Sequence, residues 1–173
     1  MSMTGLRPTL KKNRVTRRSM SRQWYTATME LEKKNGERNL DMIKGIGHIG
    51  IAVKDIEESI ATITKALGIP APSIRDVREK QMKVALLMLN EIGLEVIEDY
   101  SENGEFLQFV HDRGNAIHHF CLLTDNIEAD IEALKERGVE MADERPRIGL
   151  RGKKIAFTKP SALNGIPFEL SEE

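Results

Sequence analysis

The sequence predicts an α+β fold in which two βαβββ modules pair their sheets into an open, curved barrel with helices outside. The first observation is an internal repeat, because similar residues recur at one fixed separation of 71 positions. The pairs at this separation are His48 and His119, Asp55 and Asn126, Ile56 and Ile127, Ile60 and Ile131, and Ile63 and Leu134. The second observation is that each copy reads as a strand, then a helix, then further strands. We therefore infer a duplicated module within one domain, residues 42–173.

The first module spans residues 43–100. Residues 45–53 have the apolar content of a strand, and Asp55 can cap the helix that follows. Apolar residues recur there at helical spacing until Gly68, which supplies a stop. Three extended segments come next, at 73–77, 81–89 and 92–98, with a tight turn between the last two.

The second module spans residues 114–171 and repeats this order. Residues 117–123 are predicted to form its first strand, Asn126 can cap its helix, and Gly138 closes that helix. Extended segments are predicted at 139–142, 153–158 and 166–170, and a short helix at 102–111 joins the modules. Each half is therefore expected to contribute four strands and one packed helix to the barrel.

The composition is that of a globular protein large enough to bury a core. Of the 173 residues, 40% are hydrophobic and 31% are charged, and a chain of this size buries about 68–70% of its unfolded surface. The net charge of −1 argues against nucleic acid or an anionic membrane as a partner. No apolar run approaches the roughly 20 residues that a transmembrane helix needs. Cys121 is the only cysteine, which fits a reducing, cytoplasmic setting, and it is predicted to be a small apolar residue of the cavity wall.

Residues 1–41 are predicted to form a basic N-terminal extension. Residues 1–29 contain Lys and Arg but neither Asp nor Glu, and they lack the apolar segment of a secretory signal. We interpret the segment as a loosely ordered extension that carries no chemistry, with a short helix at 24–34. A transit peptide and a nucleic-acid-binding arm are the alternatives.

Alternation along the strands places four polar side chains on one face of the sheet. His48 and His119 occupy equivalent positions in the first strands of the two modules, and His118 is predicted to point at the packed face. Glu95 and Glu169 lie in the last strand of each module, between apolar residues that point the other way. An unpaired carboxylate is costly there, so two imidazoles and two carboxylates in one cavity predict a divalent metal site. The mixed nitrogen and oxygen ligands suit zinc, cobalt, nickel, manganese or iron without choosing among them.

Five stretches of the sequence carry a family resemblance: 46–53, 117–119, 126–138, 146–157 and 168–170. On these, residues 43–171 resemble the methylmalonyl-CoA epimerases of the glyoxalase, or vicinal oxygen chelate, superfamily. The resemblance implies the glyoxalase/bleomycin-resistance/dioxygenase fold and one divalent metal ion held by His48, Glu95, His119 and Glu169. It also implies inversion of C2 of methylmalonyl-CoA, or of a similar 2-substituted acyl-CoA, by proton transfer through a metal-stabilised enolate. Glu169 is then the candidate for one of the two acid or base roles.

Departures from the family pattern leave parts of this site open. Some relatives carry a second acidic residue on the strand that corresponds to residues 81–89, where this chain has none. The second acid or base is therefore unassigned. The candidates for substrate contact are Gln81 and Lys83 near this strand, and Arg147, Arg151, Lys153 and Lys154 for the CoA phosphates. A solvated basic loop is the alternative interpretation of the last four.

Two other functions compete with the epimerase. A glyoxalase I-like lactoylglutathione lyase uses a similar metal set on a glutathione hemithioacetal, so the thiol conjugate that turns over separates the two. A metal-free small-molecule-binding protein of the bleomycin-resistance type requires no ligands, and the four inward ligands argue against it. Modules of this kind also pair between chains, so we expect a homodimer whose small-molecule partner is an acyl-CoA.

Overall fold

A computed structural model describes residues 42–172, which form one eight-stranded mixed sheet and three α-helices. The strands are β1 (Gly45–Ala52), β2 (Arg75–Val77), β3 (Met82–Leu89), β4 (Ile92–Asp99), β5 (Ala116–Thr124), β6 (Arg147–Ile148), β7 (Lys154–Phe157) and β8 (Phe168–Glu172). The helices are α1 (Ile56–Leu67), α2 (Glu105–Arg113) and α3 (Ile127–Glu136). None of these described helices combines the length and hydrophobicity that a membrane span requires. The predicted N-terminal extension and its helix at 24–34 lie outside the described residues.

The sheet is built from two equivalent halves. Its strand order is β2-β3-β4-β1-β5-β8-β7-β6, so each module supplies four neighbouring strands. The last strand of each module runs parallel to its first, β4 beside β1 and β8 beside β5. The two first strands, β1 and β5, pair antiparallel at the centre and join the modules. This arrangement confirms the predicted α+β fold of two paired βαβββ modules in an open, curved barrel.

Both module helices begin at the predicted caps. The Asp55 carboxylate accepts a hydrogen bond of 2.8 Å from the Glu58 backbone N–H, and the Asn126 amide oxygen accepts one of 3.1 Å from Ala129. These bonds satisfy N–H groups that the first helical turn leaves unpaired. Gly68 ends α1 with a φ of 65°, a left-handed conformation that glycine adopts without steric cost.

Each module packs its helix on its own hydrophobic core. The first core contains Val53, Ile56, Ile60, Ala85, Leu87 and Val96. The second contains Ile127, Ile131, Met141, Ala156 and Leu170. Burial of an aliphatic side chain stabilises the fold by about 1.5–3 kcal/mol, so these clusters hold the helices on one face of the sheet. The opposite face lines the interior of the barrel.

The repeat also includes charged residues beside the first turn of each module helix. Lys83 bridges Glu98 of β4 and a glutamate in the first turn of α1, at 3.5 and 3.0 Å. Lys154, which is 71 positions further on, bridges Glu172 of β8 and a glutamate in the first turn of α3, both at 3.0 Å. Glu98 and Glu172 also accept hydrogen bonds from the first backbone N–H of α1 and α3. The two lysines therefore occupy equivalent positions in the two halves.

The second module departs from the predicted order at one strand. The extended segment predicted at 139–142 contributes only a single bridge, between Met141 and Thr158. The fourth strand of the module is instead β6, which pairs with β7. Asp143 explains the difference, because its carboxylate accepts the backbone N–H of Phe157 at 2.9 Å and interrupts the ladder there. The predicted joining helix is present as α2.

Candidate metal centre

Four polar side chains converge inside the barrel, one from each of its central strands. They are His48 on β1, Glu95 on β4, His119 on β5 and Glu169 on β8. One ligand atom of each lies within 4.8 Å of the others. All four are buried, with 1% to 5% of their surface exposed. The structure thus brings together the residues that the sequence singles out, two from each module.

The contacts within this cluster identify the atoms that face its centre. The Nε2 atom of His48 lies 3.2 Å from Nε2 of His119 and 3.0 Å from Oε2 of Glu169. It also lies 3.3 Å from Oε2 of Glu95, and His119 Nε2 lies 3.0 Å from Oε2 of Glu169. Two imidazole nitrogens and two carboxylate oxygens are a donor set that zinc and neighbouring transition metals accept. The two carboxylates also balance the charge of a divalent cation, so the residues present fit such an ion.

Two small residues at equivalent positions allow the four side chains to meet. Gly50 of β1 pairs with Glu95 on one side and with His119 on the other. Cys121, which is 71 positions after Gly50, pairs with His48 on β1 and with Glu169 on β8. Side chains of directly paired residues are about 4.5–5.5 Å apart at Cβ. The ligand side chains therefore converge around a position that no large side chain fills.

A β-bulge in β5 places His118 next to His119. The pairing of β1 with β5 shifts between Gly50, which faces His119, and Ile51, which faces Ile117, so His118 is the extra residue. A bulge changes the direction in which the neighbouring side chains point. As a result, Nδ1 of His118 lies 3.1 Å from Nδ1 of His119. The prediction that His118 points at the packed face is wrong, because strict alternation fails at a bulge. The adjacent histidine pair was the only sequence signal for this contact.

His118 is suited to fix the orientation of His119. A histidine that offers Nε2 to a metal carries its proton on Nδ1 and donates it to a neighbour. Burial, reinforced by the nearby His119, lowers the pKa of His118 to about 4, so its ring is neutral and Nδ1 can accept. The His118 ring also packs against Phe106 and Phe109 of α2, which hold it in place.

The cluster compensates its own charges through imidazole protons. Burial alone would raise the pKa of Glu169, but hydrogen bonds from His119 and His48 outweigh it and lower that pKa to about 2. A metal ion that displaces these protons would be taken up with proton release.

Glu95, His119 and Glu169 of this cluster line a cavity of about 130 Å³ whose walls are partly apolar and partly charged. Apolar walls come from Met82, Ile97, Phe106, Ile155 and Phe157. Basic side chains at the cavity are those of Lys80, Arg147, Arg151 and Lys153. Aromatic and aliphatic walls around a few polar groups are typical of small-molecule sites.

The described region matches a known superfamily. The family model for the glyoxalase/bleomycin resistance protein/dioxygenase superfamily matches residues 47–157. The chain belongs to this superfamily. The resemblance predicted from the sequence is therefore confirmed at the level of family.

Individual relatives within the superfamily include epimerases. The uncharacterized protein YqjC of Bacillus subtilis is 32% identical over 127 residues, which are 73% of this chain and 91% of that protein. An ethylmalonyl-CoA/methylmalonyl-CoA epimerase of Cereibacter sphaeroides is 29% identical over 133 residues, 76% of this chain and 99% of that protein. The crystal structure of a methylmalonyl-CoA epimerase from Mycobacterium tuberculosis shares the fold with a TM-score of 0.71 and is 23% identical in sequence. The match covers 80% of this chain and 94% of that chain.

The candidates for substrate contact separate into two groups. Arg147 and Arg151 line the cavity, as does Lys153. Lys83 and Lys154 form the outer ion pairs described above and do not line it. Gln81 ends a 3₁₀ turn before β3, with a φ of 54°, and does not line the cavity either. A substrate role for these last three residues is unsupported by their positions.

Gly50 offers a test of the site that leaves every ligand in place. A Cβ built at Gly50 would overlap the ring of His119, so Gly50→Ala is expected to displace that ring. We expect metal affinity to fall by at least the roughly 10- to 100-fold that loss of a partner orienting a ligand usually costs. Elemental analysis after dialysis measures the bound metal. Gly45→Ala on the same strand is the control, since a Cβ there meets nothing within 4 Å; equal metal in both variants would contradict the role of His119.

Proposed function

We propose that this protein is a metal-dependent epimerase that inverts C2 of methylmalonyl-CoA or a similar 2-substituted acyl-CoA. The observation that carries the proposal is the buried convergence of His48, Glu95, His119 and Glu169, three of which, all but His48, line one cavity. The Cereibacter sphaeroides relative, named for ethylmalonyl-CoA and methylmalonyl-CoA, supports the substrate class. Its match extends over nearly the whole of that protein, so the comparison is not limited to one module.

The four side chains would hold one divalent cation, with two ligands from each module. Bound there, the ion would supply Lewis-acid chemistry that stabilises negative charge on substrate oxygen atoms. The chain's contribution is to present both Nε2 atoms and both carboxylates to one point in a buried setting. His118 supports this geometry by accepting the Nδ1 proton of His119.

Glu169 is our candidate for one of the two proton-transfer roles. The hydrogen at C2 lies between a thioester and a carboxylate and is weakly acidic, so its removal requires a base close to that carbon. Hydrogen bonds from His119 and His48 lower the pKa of Glu169 and so keep its carboxylate ionised, which is the form that a base requires, although a low pKa also makes it a weaker base. Inversion also requires an acid on the opposite face, and that residue is unassigned. Phe106 and Phe157 line the cavity, and their apolar rings would limit the access of water to a substrate bound there.

The proposal is tested by deuterium exchange in D₂O. The chelator-stripped protein is reconstituted with Co²⁺ and incubated with methylmalonyl-CoA of one configuration. We expect incorporation of one deuterium at C2 together with inversion, followed by mass spectrometry and a stereospecific assay. The stripped protein without added metal is the control and should be inactive.

A parallel assay separates the epimerase from the glyoxalase I-like lyase. The same preparation is offered the hemithioacetal of methylglyoxal and glutathione. Turnover of this compound with no exchange in methylmalonyl-CoA would overturn the epimerase in favour of the lyase. Binding of small molecules without turnover of either would favour a binding protein of the bleomycin-resistance type.

A further inference from the structure

The loop between β6 and β7 crosses the open edge of the barrel and brings Arg151 to the ligands of the first module. Leu150 packs against a third hydrophobic cluster, which is formed by Val77 of β2, Val84 of β3 and Ile97 of β4. Lys80, which follows β2, donates a hydrogen bond of 2.6 Å to the backbone carbonyl of Ile148. Since β2 and β6 are the two outermost strands of the sheet, these contacts hold the loop across the opening between them.

Arg151 contacts two of the four candidate ligands at once. Its Nε lies 2.9 Å from Oε1 of Glu95, and its Nη2 lies 2.9 Å from Nδ1 of His48. The Glu95 side chain is 6% exposed and that of Arg151 is 35% exposed. The partly exposed guanidinium therefore lines the same cavity as Glu95 and contacts the buried cluster from there.

The polarity of the bond to His48 conflicts with a metal on the same ring. A guanidinium only donates hydrogen bonds, so Nδ1 of His48 must accept and the proton of the neutral ring lies on Nε2. A histidine that binds a metal through Nε2 instead carries its proton on Nδ1. The N–H group at Nδ1 of His48 and an N–H group of Arg151 would then point at each other, and neither could accept the other's hydrogen. The Arg151–His48 bond and a cation at Nε2 of His48 therefore exclude each other.

The bond to Glu95 carries no such conflict. Arg151 contacts Oε1, whereas Oε2 of Glu95 faces Nε2 of His48 at the centre of the cluster. One carboxylate can serve a guanidinium and a metal through different oxygens. The positive charge of Arg151 nevertheless repels a second cation within the same buried site, because charges interact strongly where water is excluded. The direction of the hydrogen bond to His48 and the positive charge of Arg151 therefore both oppose binding of a metal ion.

We propose that Arg151 is an internal cation that competes with the divalent metal for this site. Without bound metal it holds His48 and Glu95 together. Entry of the metal breaks its hydrogen bond to His48 while the bond to Glu95 can persist. The proposal rests on the metal site of the proposed function but not on its substrate.

The test measures Co²⁺ affinity in three proteins: wild type, Arg151→Gln and Arg147→Gln. Each is stripped of metal and titrated with Co²⁺ in competition with a chromophoric chelator. Arg151→Gln is expected to bind Co²⁺ about tenfold more tightly, the order expected when a charged hydrogen bond no longer has to break. Arg147→Gln is the matched control, because Arg147 lines the same cavity but pairs with Asp143 at 2.9 Å. Its Co²⁺ affinity should stay at the wild-type value.

Thermal unfolding of the same proteins provides a second readout. The stripped Arg151→Gln protein should melt at a lower temperature than stripped wild type, because Glu95 loses its partner. Saturation with Co²⁺ should remove most of this difference, so the metal-induced rise in Tm is larger in Arg151→Gln. This pattern also shows that the variant is folded.

The outcomes separate this proposal from the metal site itself. Weaker Co²⁺ binding in Arg151→Gln would overturn the competition and make Arg151 an orienting partner of Glu95. Unchanged binding would show that Arg151 does not act on the ligands. Failure of wild type to bind Co²⁺ would instead contradict the metal site, and the proposed function with it.

Discussion

Glu169→Gln is expected to abolish the exchange of deuterium into C2 of methylmalonyl-CoA. The amide keeps the shape of the side chain but cannot accept the C2 proton, so the exchange rate should fall by about 10²–10⁴-fold or more. The rate is measured in D₂O by mass spectrometry with the metal-reconstituted protein. Bound metal is measured in the same samples, because Glu169 is also a candidate ligand and loss of metal would lower the rate for a different reason.

Glu172→Gln is the matched control for this experiment. Glu172 lies on the same strand, but its carboxylate pairs with Lys154 and with the first N–H of α3, outside the cavity. Its replacement can lower stability but should leave the exchange rate unchanged. Near-normal exchange in Glu169→Gln with metal bound would remove Glu169 from the reaction.

His119→Ala is expected to eliminate stable metal binding. The substitution removes the candidate ligand atom Nε2, which lies 3.0 Å from Oε2 of Glu169 and 3.2 Å from Nε2 of His48. Two of the three remaining ligands belong to the first module. Loss of a direct ligand should weaken binding by more than the roughly 10- to 100-fold that loss of an outer partner costs. Elemental analysis after dialysis should therefore find about one metal ion per chain in wild type and almost none in the variant.

His111→Ala provides the comparison for the histidine substitution. His111 is on α2, its side chain is 81% exposed, and its partner is the neighbouring Asp112. Its loss should change neither metal content nor exchange. A His119→Ala protein that retains its full complement of metal would contradict the proposed ligand set.

The ligand positions could be predicted because strand geometry is regular. Alternation fixes the face of His48, Glu95 and Glu169 once the strands are recognised, and the repeat identifies His119 as the partner of His48. The helix caps at Asp55 and Asn126 are equally local, since a cap depends on only three or four consecutive residues. These features follow from short stretches of sequence.

Contacts between distant segments were the features that the sequence could not supply. The bulge at His118 depends on the register of β5 against β1, which no local pattern reveals. Lys83 and Lys154 resemble substrate-binding lysines until the glutamates of other strands are placed beside them. The position of Arg151 depends on a loop of one module that crosses to the other, so its basic sequence context suggested phosphate contact instead.

The most direct test of the account is anomalous diffraction from crystals of the zinc-loaded protein. We expect one anomalous peak per chain, about 2.0–2.2 Å from Nε2 of His48, Nε2 of His119 and the carboxylate oxygens of Glu95 and Glu169. Two ligands would then come from each module, as the duplicated fold requires. A peak bound elsewhere, or no peak between these four side chains, would contradict it.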